Sequence, residues 1–214
     1  MKSYYVYLIR HGLTSANLEG RYIGHTDVEL SEEGRAQVEE LARKFIYPQP
    51  TVVFSSPLKR CTETAKILYP DKDPLLIDGL IEYNFGEFEG KTAEELKDYP
   101  MFPKWLEGQN VEAPFGESDA EFGRRITDCF IKIINGLIKT GTNKVAIVTH
   151  AGIISALLEA FGLPQAPKHE WTPYGGCGYT IRISPSLWMR GNKFEVVEQL
   201  PIIPDEEEDS DSEY

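Results

Sequence analysis

The amino-acid sequence predicts an α/β fold, on three observations. Short β-rich runs, "YYVYLI", "TVVFSS", "LLIDGLI" and "VAIVT", recur along the chain. Each run enters a turn, and most are followed by a stretch whose apolar residues repeat at helical spacing. At 214 residues the chain is long enough for one sizeable core and short for two, so a single domain over residues 1–203 is expected.

The elements follow in order. "YYVYLI" opens the chain as a strand and ends in "RHGLTSAN". Ser31, with acids just after it, marks a helix start, and Val38, Leu41, Ala42 and Phe45 fall at i, i+3, i+4 and i+7. After "TVVFSS", Ser56 reads as a cap and Pro57 as the first helical residue, with Leu58, Cys61, Ala65 and Leu68 on one face. "LLIDGLI" is expected as a third strand, ending at Glu82. From about 83 to 117 the pattern weakens into scattered prolines and aromatics with a short helix at 92–97, which suggests an inserted helical lid. Within it Phe85, Phe88, Met101, Phe102 and Trp105 could wall a substrate pocket or could equally form a packing face.

Ser118 with Glu121 makes a capping box that opens a long helix, with Phe122, Ile126, Cys129, Ile133 and Leu137 as its buried stripe. "VAIVT" leads into "GIISALLEAF", apolar nearly all round and therefore expected against a sheet. Two strands, "GYTIRI" and "FEVVEQL", close the domain as a late hairpin whose edge could pair with a second copy.

The formal charge is -12, and seven of the acids lie in "DEEEDSDSE". Residues 204–214 are thus expected to remain a solvated, disordered tail, because like charges repel and little apolar surface offsets ordering. A mildly acidic body lacks the clustered Lys and Arg that nucleic acid demands. Three cysteines without C-x-x-C spacing fit a reduced cytoplasmic setting, and no signal-peptide pattern or membrane-length apolar run is seen.

Arg10, His11, Arg60, Glu82 and His150 all fall just past strand ends, which in a parallel sheet share one edge, where ligands bind. Singly, each has a bland reading as surface charge or structural histidine. Together, two arginines and two histidines facing one acid make a phosphate cradle, since guanidinium forks match phosphate oxygens. His11 can be the nucleophile, Gly12 gives the backbone room to approach the phosphate, and Asn17 offers an amide donor. Glu82 is the remaining general acid.

These residues lie in segments that resemble the histidine phosphatase superfamily, in its phosphoglycerate-mutase-like branch. "RHGLTSAN" matches its Arg-His-Gly-x-Thr-x-x-Asn signature, and the similarity runs on through "GRYIGHTDVELSEEGRAQ", "SSPLKRCTETA", "LIEYNFGEFEG", "PFGES" and "VTHAGI". "FGEFEG" and "PFGES" resemble the α-ribazole phosphatase and broad-specificity phosphatase subgroups. The resemblance implies a three-layer α/β/α sandwich around a mostly parallel sheet and no metal or organic cofactor. It also implies a phosphohistidine on His11, held by Arg10, Arg60 and His150, with Glu82 as proton donor. Arg21, Gly24 and Ala151 are carried over as substrate neighbours, Ala151 standing where glycine is frequent and Ser155 where many relatives have arginine. The basic, tyrosine-containing motif of the mutases is missing from "YNFGEFEG", which favours hydrolysis of a small phosphate ester over mutase-type transfer.

Rival chemistries fit less well. "GEFEGKT" misses the G-x-x-x-x-G-K-T spacing by one residue. Cys-x5-Arg fails because Ile67, Asn135 and Ile183 stand at the arginine position. Two arginines would repel a catalytic cation, and a pure binding module would need neither His11 nor Glu82.

Overall fold

The structure, a computed structural model, describes residues 2–109 and 111–204. The chain runs β1 (Tyr4–Arg10), α1 (Ser15–Leu18), α2 (Glu32–Lys44), β2 (Val52–Ser55), α3 (Lys59–Leu68), β3 (Leu75–Leu76), α4 (Ala93–Leu96) and α5 (Phe102–Leu106). It continues through α6 (Asp119–Thr140), β4 (Lys144–Thr149), α7 (Ala151–Phe161), β5 (Gly162–Leu163), β6 (Gly178–Ile183), α8 (Pro185–Gly191) and β7 (Phe194–Leu200).

Alternation along β1 sets the layers. Val6 and Leu8 point to one face and Tyr7 and Ile9 to the other, and all four are buried. A strand buried on both sides needs helices on both. Val6 and Leu8 join Phe122, Ile126 and Phe130 of α6 and Ile153, Ile154 and Leu157 of α7. Tyr7 and Ile9 join Val38 of α2 and Cys61, Ala65 and Leu68 of α3. Each such fully buried aliphatic or aromatic side chain contributes about 1.5–3 kcal/mol. The result is an α/β/α sandwich around one sheet of order β3-β2-β4-β1-β6-β7-β5. Only β6 runs against the others, since it is antiparallel to β1 and β7 while the remaining pairs are parallel.

Register then fixes the site. β1 and β4 stay paired to Arg10↔Thr149, and β2 pairs with β4 to Ser55↔Val148. His11, His150 and Ser56, the next residues of three adjacent strands, therefore emerge at one edge.

Four local expectations are corrected. The helix after β2 begins at Lys59 with Leu58 as its N-cap, not at Pro57. A neighbouring loop supplies the cap: the amide of Lys59 donates to Asp27 Oδ1 at 2.7 Å and that of Arg60 to the Val28 carbonyl at 3.2 Å. "LLIDGLI" pairs only through Leu75 and Leu76, both exposed at the sheet edge, before a 3-10 turn at Asp78–Leu80 that the Asp-Gly dipeptide favours. The late hairpin has α8 between its strands, started by Pro185 and ended by Asn192 at φ 53°, and β5 covers the outer side of β7 at Phe194 and Glu195. Cys129 is half-buried at the margin of the α6 stripe.

Residues 83–117 form a small apolar cluster of their own around Phe88, Leu96, Phe102 and Ala113, with Phe85 and Trp105 packed against it. For Phe88 and Phe102 the packing role prevails, because both are buried within that cluster. Thr92 and Glu95 cap α4, and Ser118 and Glu121 cap α6. No helix among the described residues is long and apolar enough to cross a membrane. The acidic run expected as a solvated tail falls on residues 205–214, outside the described residues.

Candidate active site

Parallel pairing of β1 and β4 places the imidazoles of His11 and His150 edge to face, ring centroids 5.1 Å apart. The backbone amide of His11 continues the ladder to the Thr149 carbonyl at 2.9 Å. His11 Nδ1 lies 2.6 Å from the Gly12 carbonyl, and a carbonyl can only accept, so Nδ1 carries the proton and Nε2 keeps its lone pair. Burial, reinforced by Arg60 and then Arg10, pushes the His11 pKa down to about 3, against the opposing pull of the Gly12 carbonyl. His150 Nε2 meets Ser56 Oγ at 3.0 Å. Burial, then His11, Arg60 and Arg10, holds His150 well below the usual imidazole range. Both rings are therefore neutral at pH 7.

Arg60 is among the largest fully buried side chains of the described residues. From the second position of α3 it leans toward the helix N-terminus and donates through Nη1 to the Thr26 carbonyl at 2.9 Å and through Nη2 to the Gly24 carbonyl at 2.7 Å. The amides of the same loop, Gly24, His25 and Thr26, donate to the Glu89 carboxylate at 2.7–3.0 Å. The loop is thus held by a cation on its carbonyls and an anion on its amides, and Arg60 is fixed with the rest of its donor fork uncommitted to these two bonds. Arg10 donates through Nη1 to the Pro173 carbonyl at 2.8 Å, but its buried Nε has no partner among the described residues. An orphaned buried donor on a cation calls for an anion. Burial pulls the Arg10 pKa down, and the Glu82 carboxylate opposes that shift.

Glu82 is 8% exposed and reaches α7, where Oε2 accepts the Gly152 amide at 2.9 Å; Oε1 accepts the Tyr83 amide at 2.9 Å. Burial raises its pKa, while those two amides, Arg60 and Lys168 act the other way. A carboxyl whose burial outweighs its donors keeps its proton to higher pH than an exposed glutamate.

The structure thus brings Arg10, His11, Arg60, Glu82 and His150 to one sheet edge, and it treats the other candidates differently. The Gly12 amide donates to Thr64 Oγ1 at 2.9 Å, so it is not offered to a phosphate. A Cβ there would come within 2.7 Å of Val38 Cγ2, so α2 packing demands the glycine. Asn17 sits in α1, where its Oδ1 accepts from the Thr14 amide and hydroxyl, both at 3.1 Å, which leaves its NH2 as the end free to donate. Arg21 is drawn to the base of the 83–117 segment by Glu19, Glu95 and the Gly90 carbonyl, at 2.6, 2.9 and 2.6 Å. Gly24 acts through its carbonyl on Arg60. Ala151 opens α7, and its carbonyl accepts from Ser155 Oγ at 2.8 Å.

Sequence reasoning missed Ser56, Thr64, Glu89 and Gly152. Only "HAG" held a signal for the last: a Cβ at Gly152 would lie 2.4 Å from Glu82 Oε1, so a larger residue would evict the carboxylate. Among the described residues no three of His, Cys, Asp or Glu gather as a metal site. A pair of neutral imidazoles, two arginines and a carboxyl whose burial raises its pKa can take a phosphate dianion, stabilise its oxygens, attack phosphorus and protonate a leaving oxygen.

The chain is similar to several known proteins. The chain is 28% identical over 184 residues to an adenosylcobalamin/alpha-ribazole phosphatase of Salmonella typhimurium, covering 83% of this chain and 90% of that protein. It is 33% identical over 173 residues to phosphoglycerate mutase-like protein 4 of Arabidopsis thaliana, covering 77% and 74%. The fold matches the crystal structure of the alpha-ribazole phosphatase from Shigella flexneri with a TM-score of 0.77 at 24% identity, over 90% of this chain and 94% of the other. Residues 6–188 match the family described as Histidine phosphatase superfamily (branch 1), and the chain belongs to that superfamily.

Proposed function

We propose that the protein hydrolyses small phosphomonoesters through a phosphohistidine at His11, with alpha-ribazole 5'-phosphate among the candidate substrates. The observation that carries this reading is the state of His11: neutral, with Nδ1 committed to the Gly12 carbonyl, so that Nε2 is the nucleophilic lone pair beside Arg10 and Arg60. Nε2 attacks phosphorus while the bond to the ester oxygen breaks and Glu82 gives that oxygen its proton. Arg10, Arg60 and His150 hold the equatorial oxygens. Water then attacks the phosphohistidine, passes a proton to the Glu82 carboxylate, and the P–N bond breaks to free inorganic phosphate and the lone pair on His11. Residues 83–117 serve as the lid that selects the alcohol.

Mutase-type transfer, named in the Arabidopsis relative, is the second reading. It differs only in returning the phosphoryl group to an alcohol instead of water, and the absence of the basic mutase motif from "YNFGEFEG" weighs against it. Rapid quenching with alpha-ribazole 5'-phosphate, 3-phosphoglycerate, sugar phosphates and p-nitrophenyl phosphate tests both. Mass spectrometry should find a phosphoryl group on His11 during turnover, with inorganic phosphate as the product. A label found elsewhere, or none under burst conditions, rejects the mechanism.

The pH profile has a definite sign. His11 must be neutral, and with its pKa near 3 it stays so across the working range. Glu82 must be protonated, so kcat/KM on an alkyl phosphate should fall as pH rises through its raised pKa. Because the ester itself ionises at about 6, the limb owed to Glu82 is the one that Glu82→Gln abolishes. An identical alkaline limb in both proteins would contradict the assignment.

A further inference from the structure

Glu82 stands on neither a helix nor a strand. It follows the 3-10 turn of Asp78–Leu80, where no regular ladder takes up the backbone carbonyls. Arg125, on α6, takes them instead. Its Nη1 donates to the carbonyls of Ile81 at 2.6 Å and Gly79 at 3.3 Å, and its Nη2 donates to the carbonyl of Glu82 at 3.1 Å. Nη2 also donates to Glu117 Oε1 at 2.6 Å, and Nε donates to Glu117 Oε2 at 3.2 Å. A guanidinium has five N–H donors, and these five bonds use them all, so Arg125 has none left for a phosphate.

Glu117 extends the brace. Its Oε1 accepts the Asn84 amide at 2.8 Å, and its own amide donates to the Asn84 carbonyl at 3.1 Å. The Arg125–Glu117 pair therefore grips the backbone on both sides of Glu82, from Gly79 to Asn84. The Phe122 ring supports the guanidinium at 5.4 Å, and Tyr83 packs on Phe122 with centroids 5.3 Å apart. Both ions are largely shielded, with side chains 26% and 14% exposed. Such a brace exceeds what an ordinary surface ion pair supplies, because each partner is also spent on backbone groups that would otherwise lack one.

We propose that Arg125 and Glu117 are positioning residues for the general acid, fixing the backbone of residues 79–84 so that the Glu82 carboxyl reaches the leaving oxygen. The proposal rests on the reading of Glu82 as that acid. Lysine cannot substitute, since an ammonium has three donors and no planar fork with which to chelate a carboxylate and bridge three carbonyls.

The test uses the full chain, with Arg125→Lys, Glu117→Gln and Glu82→Gln measured side by side on a sugar phosphate and on p-nitrophenyl phosphate. A displaced acid hurts only the ester whose leaving group needs a proton. Arg125→Lys should lower kcat on the sugar phosphate about 10- to 100-fold, the cost of roughly an ångström of misplacement, and leave the aryl ester within about threefold. KM should move little, and the alkaline limb on the sugar phosphate should shift. Adding Arg125→Lys to Glu82→Gln should cause no further selective loss, because both changes act through one carboxyl. Should Arg125→Lys fail to fold, Glu117→Gln, which keeps the bonds from Arg125 to the carbonyls, gives the same comparison.

An equal loss on both esters, or no loss on either, while Glu82→Gln remains selective, overturns the positioning role alone. An unselective Glu82→Gln removes the acid assignment, and the positioning role with it.

Discussion

Replacing His11 by alanine should lower kcat at least about a thousandfold on every phosphomonoester, because the proposed mechanism places the covalent intermediate on His11 and the residual rate then comes from binding and charge alone. The loss should be uniform across leaving groups, since the nucleophile is needed by all of them. Folding should survive. The imidazole is buried, and its removal leaves the Gly12 carbonyl without the Nδ1 donor at 2.6 Å, a cost of about 1–3 kcal/mol. Domains of this kind carry roughly 5–15 kcal/mol of stability, so a thermal melt should show a lower but cooperative transition. Activity within tenfold of the unmodified protein, with the melt intact, would refute the nucleophile.

Glu82→Gln separates the acid from the cradle. On alkyl phosphates it should cost about 10²- to 10⁴-fold in kcat, the usual range for a general acid. On p-nitrophenyl phosphate the loss should be far smaller, because an acidic phenol leaves without help. The substitution is not wholly silent in structure. The carboxyl accepts two amides, from Tyr83 and Gly152, and a glutamine must turn its NH2 toward one of them. That misfit would depress both substrates alike, so the ratio between esters, not the loss on either one, reports proton donation. Equal losses on the two esters would remove Glu82 from that role.

Much of the layering is legible in the sequence. A strand alternating Val6, Tyr7, Leu8 and Ile9 has no polar face, which demands helices on both sides, and the i, i+4 stripe of α6 and the all-round apolarity of α7 supply one of those layers. Local rules failed where distant residues intervened. Ser56 looks like a cap, yet Asp27 from another loop caps α3 and frees the Ser56 hydroxyl for His150. "LLIDGLI" reads as a strand by composition, but Leu75 and Leu76 lie at an edge with a single neighbour and its Asp-Gly turns the chain. α8, at seven residues, is too short for periodicity to stand out, although Pro185 and Asn192 mark its ends.

By itself, the sequence determined the chemical inventory: which strands end in Arg10, His11 and His150, and that an arginine on the next helix and one acid complete the set. It could do so because strand ends in a parallel sheet share an edge whatever the exact register. Tertiary structure alone decided the state of that inventory. The depressed pKa of His11, the raised pKa of Glu82, the glycine required beside its carboxylate and the five-bond brace of Arg125 all depend on burial and on contacts between residues distant in sequence, such as Glu82 with Gly152, 70 positions away, and Arg125 with Ile81, 44 away. No local pattern encodes such distances, because desolvation and hydrogen-bond partners are properties of the packed chain.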